Sequence, residues 1–128
     1  MILDTHVFLW MNQTPEKLSK KIRAVIEKQD TELYFSAASA LEISIKCNLN
    51  KLRLPTAPEI YIAERIASNN LNHLPISTKH ALMAGTFSMK HKDPFDRLLA
   101  AQAIIEDLPL LTIDKKLDEF PCAVLWAV

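Results

Sequence analysis

The chain has 128 residues, 49% of them hydrophobic and 23% charged, with 15 basic and 15 acidic side chains and a formal net charge of zero. That length suits one domain with a real core, so residues 1–128 are read as a single unit. The neutral balance excludes a bulk polycation that coats nucleic acid; any nucleic-acid contact must use a local basic patch. One glycine, Gly85, leaves no GxxxxGK[ST] or GxGxxG phosphate cradle. Cys47 and Cys122 form no CxxC and no zinc spacing, and read as reduced core thiols of a cytoplasmic protein. The apolar start Met1–Met11 has no basic leader and carries Asp4 and His6, unlike a signal peptide. No apolar run is long enough to span a bilayer, so no membrane partner is expected.

Short apolar runs alternate with helical patterns. Met1–Asp4 is a candidate strand, Thr5–Met11 a helical turn, and Lys17–Gln29 a helix after the start signal Thr14-Pro15-Glu16. Glu32–Phe35 is a second strand, and Ser36 or Ser39 caps a helix reaching about Leu49. After the two prolines of 51–58, Ala57–Asn69 is helical, with Ile60, Ala63, Ile66 and Ala67 on one face. Leu71–Pro75 is a third strand, and Ser77 caps a helix to about Phe87. A polar loop, Ser88–Lys92, leads to Asp93 and a helix to Asp107. Pro109–Ile113 is a strand, Lys115–Glu119 a short helix and Ala123–Trp126 a last strand. Strands alternating with helices imply an α/β fold, a parallel sheet covered on both faces. Ligand sites in such sheets lie outside the carboxyl ends of the strands. Asp4 and Asp114 each end a predicted strand and so fall at that edge.

Asp93-Pro94-Phe95-Asp96 places two carboxylates on the first turn of an apolar helix. Asp93 suits an N-cap, Pro94 the first helical position, and Asp96 the return arm of a capping box. Glu42 precedes Lys46 by four residues, so taken alone it reads as a solvated helix acid, with Leu41 and Ile45 turned inward. Asp4 interrupts an apolar run and needs a cap, a partner or a metal. Asp114 could equally cap Lys115-Lys116-Leu117. If Asp4, Glu42, Asp96 and Asp114 converge, they repel unless a divalent cation lies between them. All-oxygen ligands favour Mg2+ or Mn2+ over zinc, and no HxxxH or HExxH is present. His6 reads as a helix-start side chain, His73 and His80 as surface or partly buried groups, and His91 as a group near the acids. Basic residues that flank the acids, among them Lys46, Lys92, Arg97 and Lys115, could hold a phosphate backbone. Phe8, Trp10 and Trp126 are read as core or as a dimer face, with core preferred.

Four stretches together resemble the PIN-domain family, and within it the VapC-type toxins of bacterial toxin–antitoxin pairs. They are Leu3-Asp4-Thr5-His6-Val7, the run Ser36-Ala37-Ala38-Ser39-Ala40-Leu41-Glu42-Ile43, the run from Asp93 through Arg97 to Ala103, and Leu111-Thr112-Ile113-Asp114. They follow the family's order and span nearly the whole chain. The resemblance implies that the four family acids fall on Asp4, Glu42, Asp96 and Asp114. Thr5, Ser39 and Thr112 match polar positions beside them, and Asp93 and Arg97 match the subgroup's helix-start motif. It further implies a three-layer fold with a parallel five-stranded sheet, RNA cleavage, homodimers, and inhibition by a cognate antitoxin.

The resulting expectation is a Mg2+- or Mn2+-dependent endoribonuclease with metal-activated water as nucleophile. Asp93 would cap the helix that presents Asp96. Arg97 would pair with an acid or touch phosphate, and Thr112 and Ser39 would orient ligands or waters. Other readings are a nuclease acting on DNA and a non-catalytic metal- or partner-binding module whose acids are only caps. A phosphoacceptor receiver domain would need an acidic pair after the first strand. A haloacid-dehalogenase-type phosphatase would need DxD there, where His6 occupies the second position.

Overall fold

The computed structural model describes residues 1–88 and 90–128; Met89, in the loop expected over Ser88–Lys92, lies outside the described residues. Five parallel strands form one sheet: β1 (Ile2–Leu3), β2 (Tyr34–Ser36), β3 (Asn72–Leu74), β4 (Leu110–Thr112) and β5 (Val124–Trp126), in the spatial order β3-β2-β1-β4-β5. Six α-helices flank it: α1 (Thr5–Gln13), α2 (Lys20–Glu27), α3 (Ala37–Asn48), α4 (Pro58–Ser68), α5 (Thr78–Thr86) and α6 (Pro94–Ile105). The expected α/β architecture is therefore present. The single helix expected over Lys17–Gln29 is instead a 3-10 turn, Pro15–Lys17, followed by α2, because Ser19 takes over as N-cap through its hydroxyl on the Ile22 N–H. Lys115–Glu119 is likewise a 3-10 turn.

The two faces of the central strands feed two cores. Leu3, Phe35 and Leu111 pack with Val7 and Phe8 of α1, Ile22 of α2, Ile43 of α3 and Ile66 of α4. Ile2, Leu74 and Leu110 pack with Leu99, Ala100 and Ala103 of α6 and with Leu117 and Phe120. Alternation along β1 and β4 sends neighbouring residues to opposite faces, which is the three-layer logic of a covered parallel sheet. Helices α3, α4 and α6 each end on a residue of positive φ, Asn50, Asn70 and Asp107. Each ending carries the six-to-one bond of a Schellman motif, from Lys51 N to Lys46 O, Leu71 N to Ile66 O, and Leu108 N to Ala103 O. Asn and Asp fill a role usually taken by glycine, which this chain nearly lacks.

Three expectations about facing are corrected. Leu41 and Ile45 are 50% and 41% exposed rather than inward. The buried stripe of α3 is Ala38, Ser39, Glu42 and Ile43, so the helix is turned toward its polar residues. On α4 the buried members are Tyr61 and Ile66, while Ile60 is exposed. Phe8 is in the core and Trp10 is half-buried, but Trp126, on the edge strand β5, is exposed. Cys47 and Cys122 are free and half-buried. No described helix is long and apolar enough to cross a membrane.

Candidate active site

The strand order reverses at β1: the chain builds outward through β2 and β3, then returns to place β4 and β5 on the other side. Crevices at such a reversal, outside the carboxyl ends of the strands, are where open α/β sheets bind ligands. Asp4 immediately follows β1, and Asp114 follows β4 by two residues. Helix α3 starts directly from β2, which brings Ser39 and Glu42 to the same edge.

Asp4 is 4% exposed, and both of its oxygens are used. Oδ1 accepts the Thr5 N–H at 2.7 Å and Oδ2 accepts the Thr112 hydroxyl at 2.7 Å. Thr112 Oγ1 also accepts the Asp114 N–H at 3.0 Å, so one buried hydroxyl ties the ends of β1 and β4 together. Thr5 Oγ1 donates to Ser39 Oγ at 2.9 Å, joining α1 to the first turn of α3. One turn further along α3 stands Glu42, 7% exposed. That burial corrects the reading of Glu42 as a solvated acid, although its expected pairing is present: Lys46 Nζ donates to Glu42 Oε2 at 2.7 Å.

Asp93 caps α6 through Oδ1, which accepts the N–H groups of Phe95 at 2.8 Å and Asp96 at 3.3 Å. Asp96 is not the return arm of a capping box; among the described residues its carboxylate accepts no hydrogen bond. Its pKa is pushed up to about 7, first by burial and then by the negative charges of Asp93, Asp4, Asp114 and Glu42. A carboxyl that feels four other acids at once stands among them. Burial also raises the Asp4 pKa, against the stabilising Thr112 hydrogen bond. The positions that sequence reasoning selected are thus brought to one sheet edge, on β1, α3, α6 and β4.

Arg97 bonds to a set of backbone carbonyls. Nε donates to the His91 carbonyl at 2.7 Å, Nη1 to that of Ala84 at 3.2 Å, and Nη2 to those of Phe87 at 2.5 Å and Ser88 at 2.9 Å. Its guanidinium stitches the end of α5 and the following loop to α6, which fixes the approach to Asp93. His91 is paired with Glu119 at 2.5 Å and lies on the Phe120 ring with centroids 4.4 Å apart. His80 is buried rather than near the surface, because Nδ1 accepts the Ser77 N–H and completes a capping box.

Sequence reasoning missed Gln102, a fully buried amide on α6. Its Oε1 accepts the Ser36 hydroxyl at 2.5 Å and its Nε2 donates to the Pro75 carbonyl at 3.2 Å. The signal was available: Gln102 is the one polar residue in an apolar run from Leu98 to Ile105, the argument that flagged Asp4.

The donor set suits a hard divalent cation: carboxylate oxygens, crowded enough to force one of them toward its protonated form. Among the described residues, no three His, Cys, Asp or Glu side chains already stand as a metal-holding group. Glu42 is paired instead with Lys46, and Asp4 with Thr5 and Thr112.

A model of the PIN domain matches residues 1–121. The chain belongs to the PIN-domain family. No curated protein matched it. Among solved structures, this PIN domain is similar to a chain of DNA-bound VapBC from Salmonella typhimurium, with a TM-score of 0.73, 18% identity and coverage of 99% of this chain and 97% of that one. It is similar too to VapBC2 from Rickettsia felis bound to a promoter DNA fragment, with TM-score 0.72, 14% identity and coverage of 98% and 96%. FitAcB from Neisseria gonorrhoeae gives 0.64, 18%, and 97% and 95%. At these identities the likeness is one of fold, and it bears out the PIN-like three-layer sheet expected from the sequence.

Proposed function

We propose that this PIN domain is a Mg2+- or Mn2+-dependent endoribonuclease and the toxin of a type II toxin–antitoxin pair. The observation that carries the chemistry is Asp96, an unbonded carboxyl among the described residues whose proton affinity is raised by burial and by four neighbouring acids. A site that holds this much negative charge is arranged for a cation, and a polyanionic phosphodiester needs that cation to approach it.

Asp4, Glu42, Asp96 and Asp114 would hold the metal. A bound divalent cation supplies Lewis-acid neutralisation of the phosphate and acidifies water. The chain's own part is to fix the ligands. Thr112 and the Thr5 N–H hold the Asp4 carboxylate in place, and the Thr5–Ser39 bond sets α3 against α1. Asp93 caps the helix that presents Asp96, and Arg97 anchors the preceding loop. With a cation held there, Glu42 would serve as a ligand and Lys46, now paired with it, would be available to a phosphate oxygen. Water oxygen bonds to phosphorus, giving up one proton to solvent, as the bond to the 3′-oxygen breaks. The leaving oxygen takes up a proton, giving 5′-phosphate and 3′-hydroxyl ends. No side chain is a nucleophile and no 2′-hydroxyl takes part.

A toxin–antitoxin complex from Klebsiella pneumoniae contains a chain of similar fold, with a TM-score of 0.64, 16% identity and coverage of 97% and 94%, which supports a protein inhibitor here. We place the protein in the cytoplasm as a homodimer under the control of that partner. The competing reading, a binding module whose acids are caps, draws on the capping bonds of Asp4, Asp93 and Asp114 and on the Lys46–Glu42 pair. Incubating antitoxin-free protein with a mixed RNA pool and matched single-stranded DNA, with Mn2+ or EDTA, separates the readings. Metal-dependent RNA cleavage leaving 5′-phosphates is expected. Ends carrying 2′,3′-cyclic phosphate would overturn the mechanism, cleavage of DNA alone would overturn the substrate, and no cleavage together with no Mn2+ bound in a titration of the same sample would favour the module.

A further inference from the structure

The Gln102 side chain joins the two helices that carry the candidate acids not anchored to the strands. It lies on α6, six residues beyond Asp96. Its acceptor end takes the Ser36 hydroxyl, and the same Ser36 oxygen accepts the Ala38 N–H at 3.0 Å and so caps α3, the helix of Ser39 and Glu42. Its donor end holds the Pro75 carbonyl, just beyond β3. Gln102 and Ser36 are both fully buried, so water cannot replace the bond between them. An amide is costly to bury and adds no apolar packing that leucine would not give. What it adds is direction: a hydrogen bond of defined length between α6 and the first turn of α3.

We propose that Gln102 is a positioning residue that sets the separation of Asp96 from Glu42, and hence the affinity of the site for its divalent cation. The inference rests on the metal-nuclease reading above. It differs from the roles of Thr112 and Asp93, which bond to the acids or to their helix turn directly. Gln102 touches none of the four acids; it acts through the start of α3.

The test compares Mn2+ binding, read by the loss of the free-ion electron paramagnetic resonance signal, in wild type, Gln102→Met and Ile66→Ala. Methionine keeps the length of the side chain and removes both bonds. Ile66→Ala is a stability control in α4, which carries none of the acids. All three are measured well below their melting temperatures. Expected is Mn2+ binding weakened about tenfold or more in Gln102→Met, the scale seen when outer partners of metal ligands are removed, with Ile66→Ala within about twofold of wild type. Should Gln102→Met fail to fold, Ser36→Ala breaks the same bond from the α3 side and carries the same expectation. Equal affinities in Gln102→Met and Ile66→Ala would overturn the proposal and leave Gln102 a structural amide. A wild type that binds no Mn2+ would overturn the metal reading itself, before any variant is compared.

Discussion

Replacing Asp96 with asparagine should make the metal-free protein more stable while abolishing its metal chemistry. The folded-state pKa of Asp96 is about 7, with burial the largest cause and the neighbouring acids next. Its unfolded value is about 3.9. A raised carboxyl pKa means that the fold favours the protonated form. The stabilisation this gives is fully present below about pH 4 and is lost as pH rises through about 7. At higher pH the charged form is carried at a cost: three pKa units correspond to about 4 kcal/mol, and halving for solvent screening leaves about 2 kcal/mol. Asparagine keeps the shape and carries no charge. In EDTA near pH 8, Asp96→Asn should therefore melt higher by roughly 8 °C, at about 4 °C per kcal/mol for a chain of this size. Near pH 4 the gap should close. Thermal melts followed by circular dichroism across that range measure it. A variant less stable than wild type at pH 8, or a gap independent of pH, would refute the claim that Asp96 is crowded by its neighbours. The pattern expected is the usual exchange of stability for function at a charged site.

Thr112→Val removes the donor to Asp4 and the acceptor for the Asp114 N–H. It should destabilise by about 1–3 kcal/mol in urea titrations and weaken Mn2+ binding by about tenfold to a hundredfold. Arg97→Lys keeps the charge but cannot span four carbonyls. A loss of about 1–3 kcal/mol in the same titration, with Mn2+ affinity changed less than in Thr112→Val, would separate anchoring of the loop from contact with the metal. Lys46→Met frees Glu42 from a half-exposed pair. Because it leaves a buried carboxylate without its cation, it should destabilise the metal-free protein by about 1–3 kcal/mol, tighten Mn2+ binding in calorimetry and weaken binding of a short RNA.

Much of this arrangement is legible in the chain. Asp4 and Asp114 were placed at the working edge by alternation alone, because in a parallel sheet the residue after a strand has only that edge to occupy. Ser77 and Asp93 announced their helices, since a cap acts locally and leaves a local trace. The facing of α3 was not legible. Leu41 and Ile45 have the side chains of a buried stripe, yet Ser39 and Glu42 are buried instead, because a partner for Ser39 comes from Thr5, 34 residues away in sequence. Glu42 alone carried the pattern of a surface pair, and only the convergence of β1, β4 and α6 gives it a different environment. The bonds of Arg97 to carbonyls at the end of α5 and in the loop after it were not legible either, because no short-range pattern sets the path of that loop. Gln102 shows the opposite failure, a lone polar residue in an apolar run whose signal was present and passed over.

The central claim is that Asp4, Glu42, Asp96 and Asp114 form one cation site. Calorimetric titration of Mn2+ into wild type and Asp96→Asn near pH 8, with the fold of both checked by circular dichroism, tests it most directly. Saturable, stoichiometric binding to wild type, reversed by EDTA and lost in the folded variant, is the predicted result. Equal binding in the two proteins, or none in wild type, would contradict it.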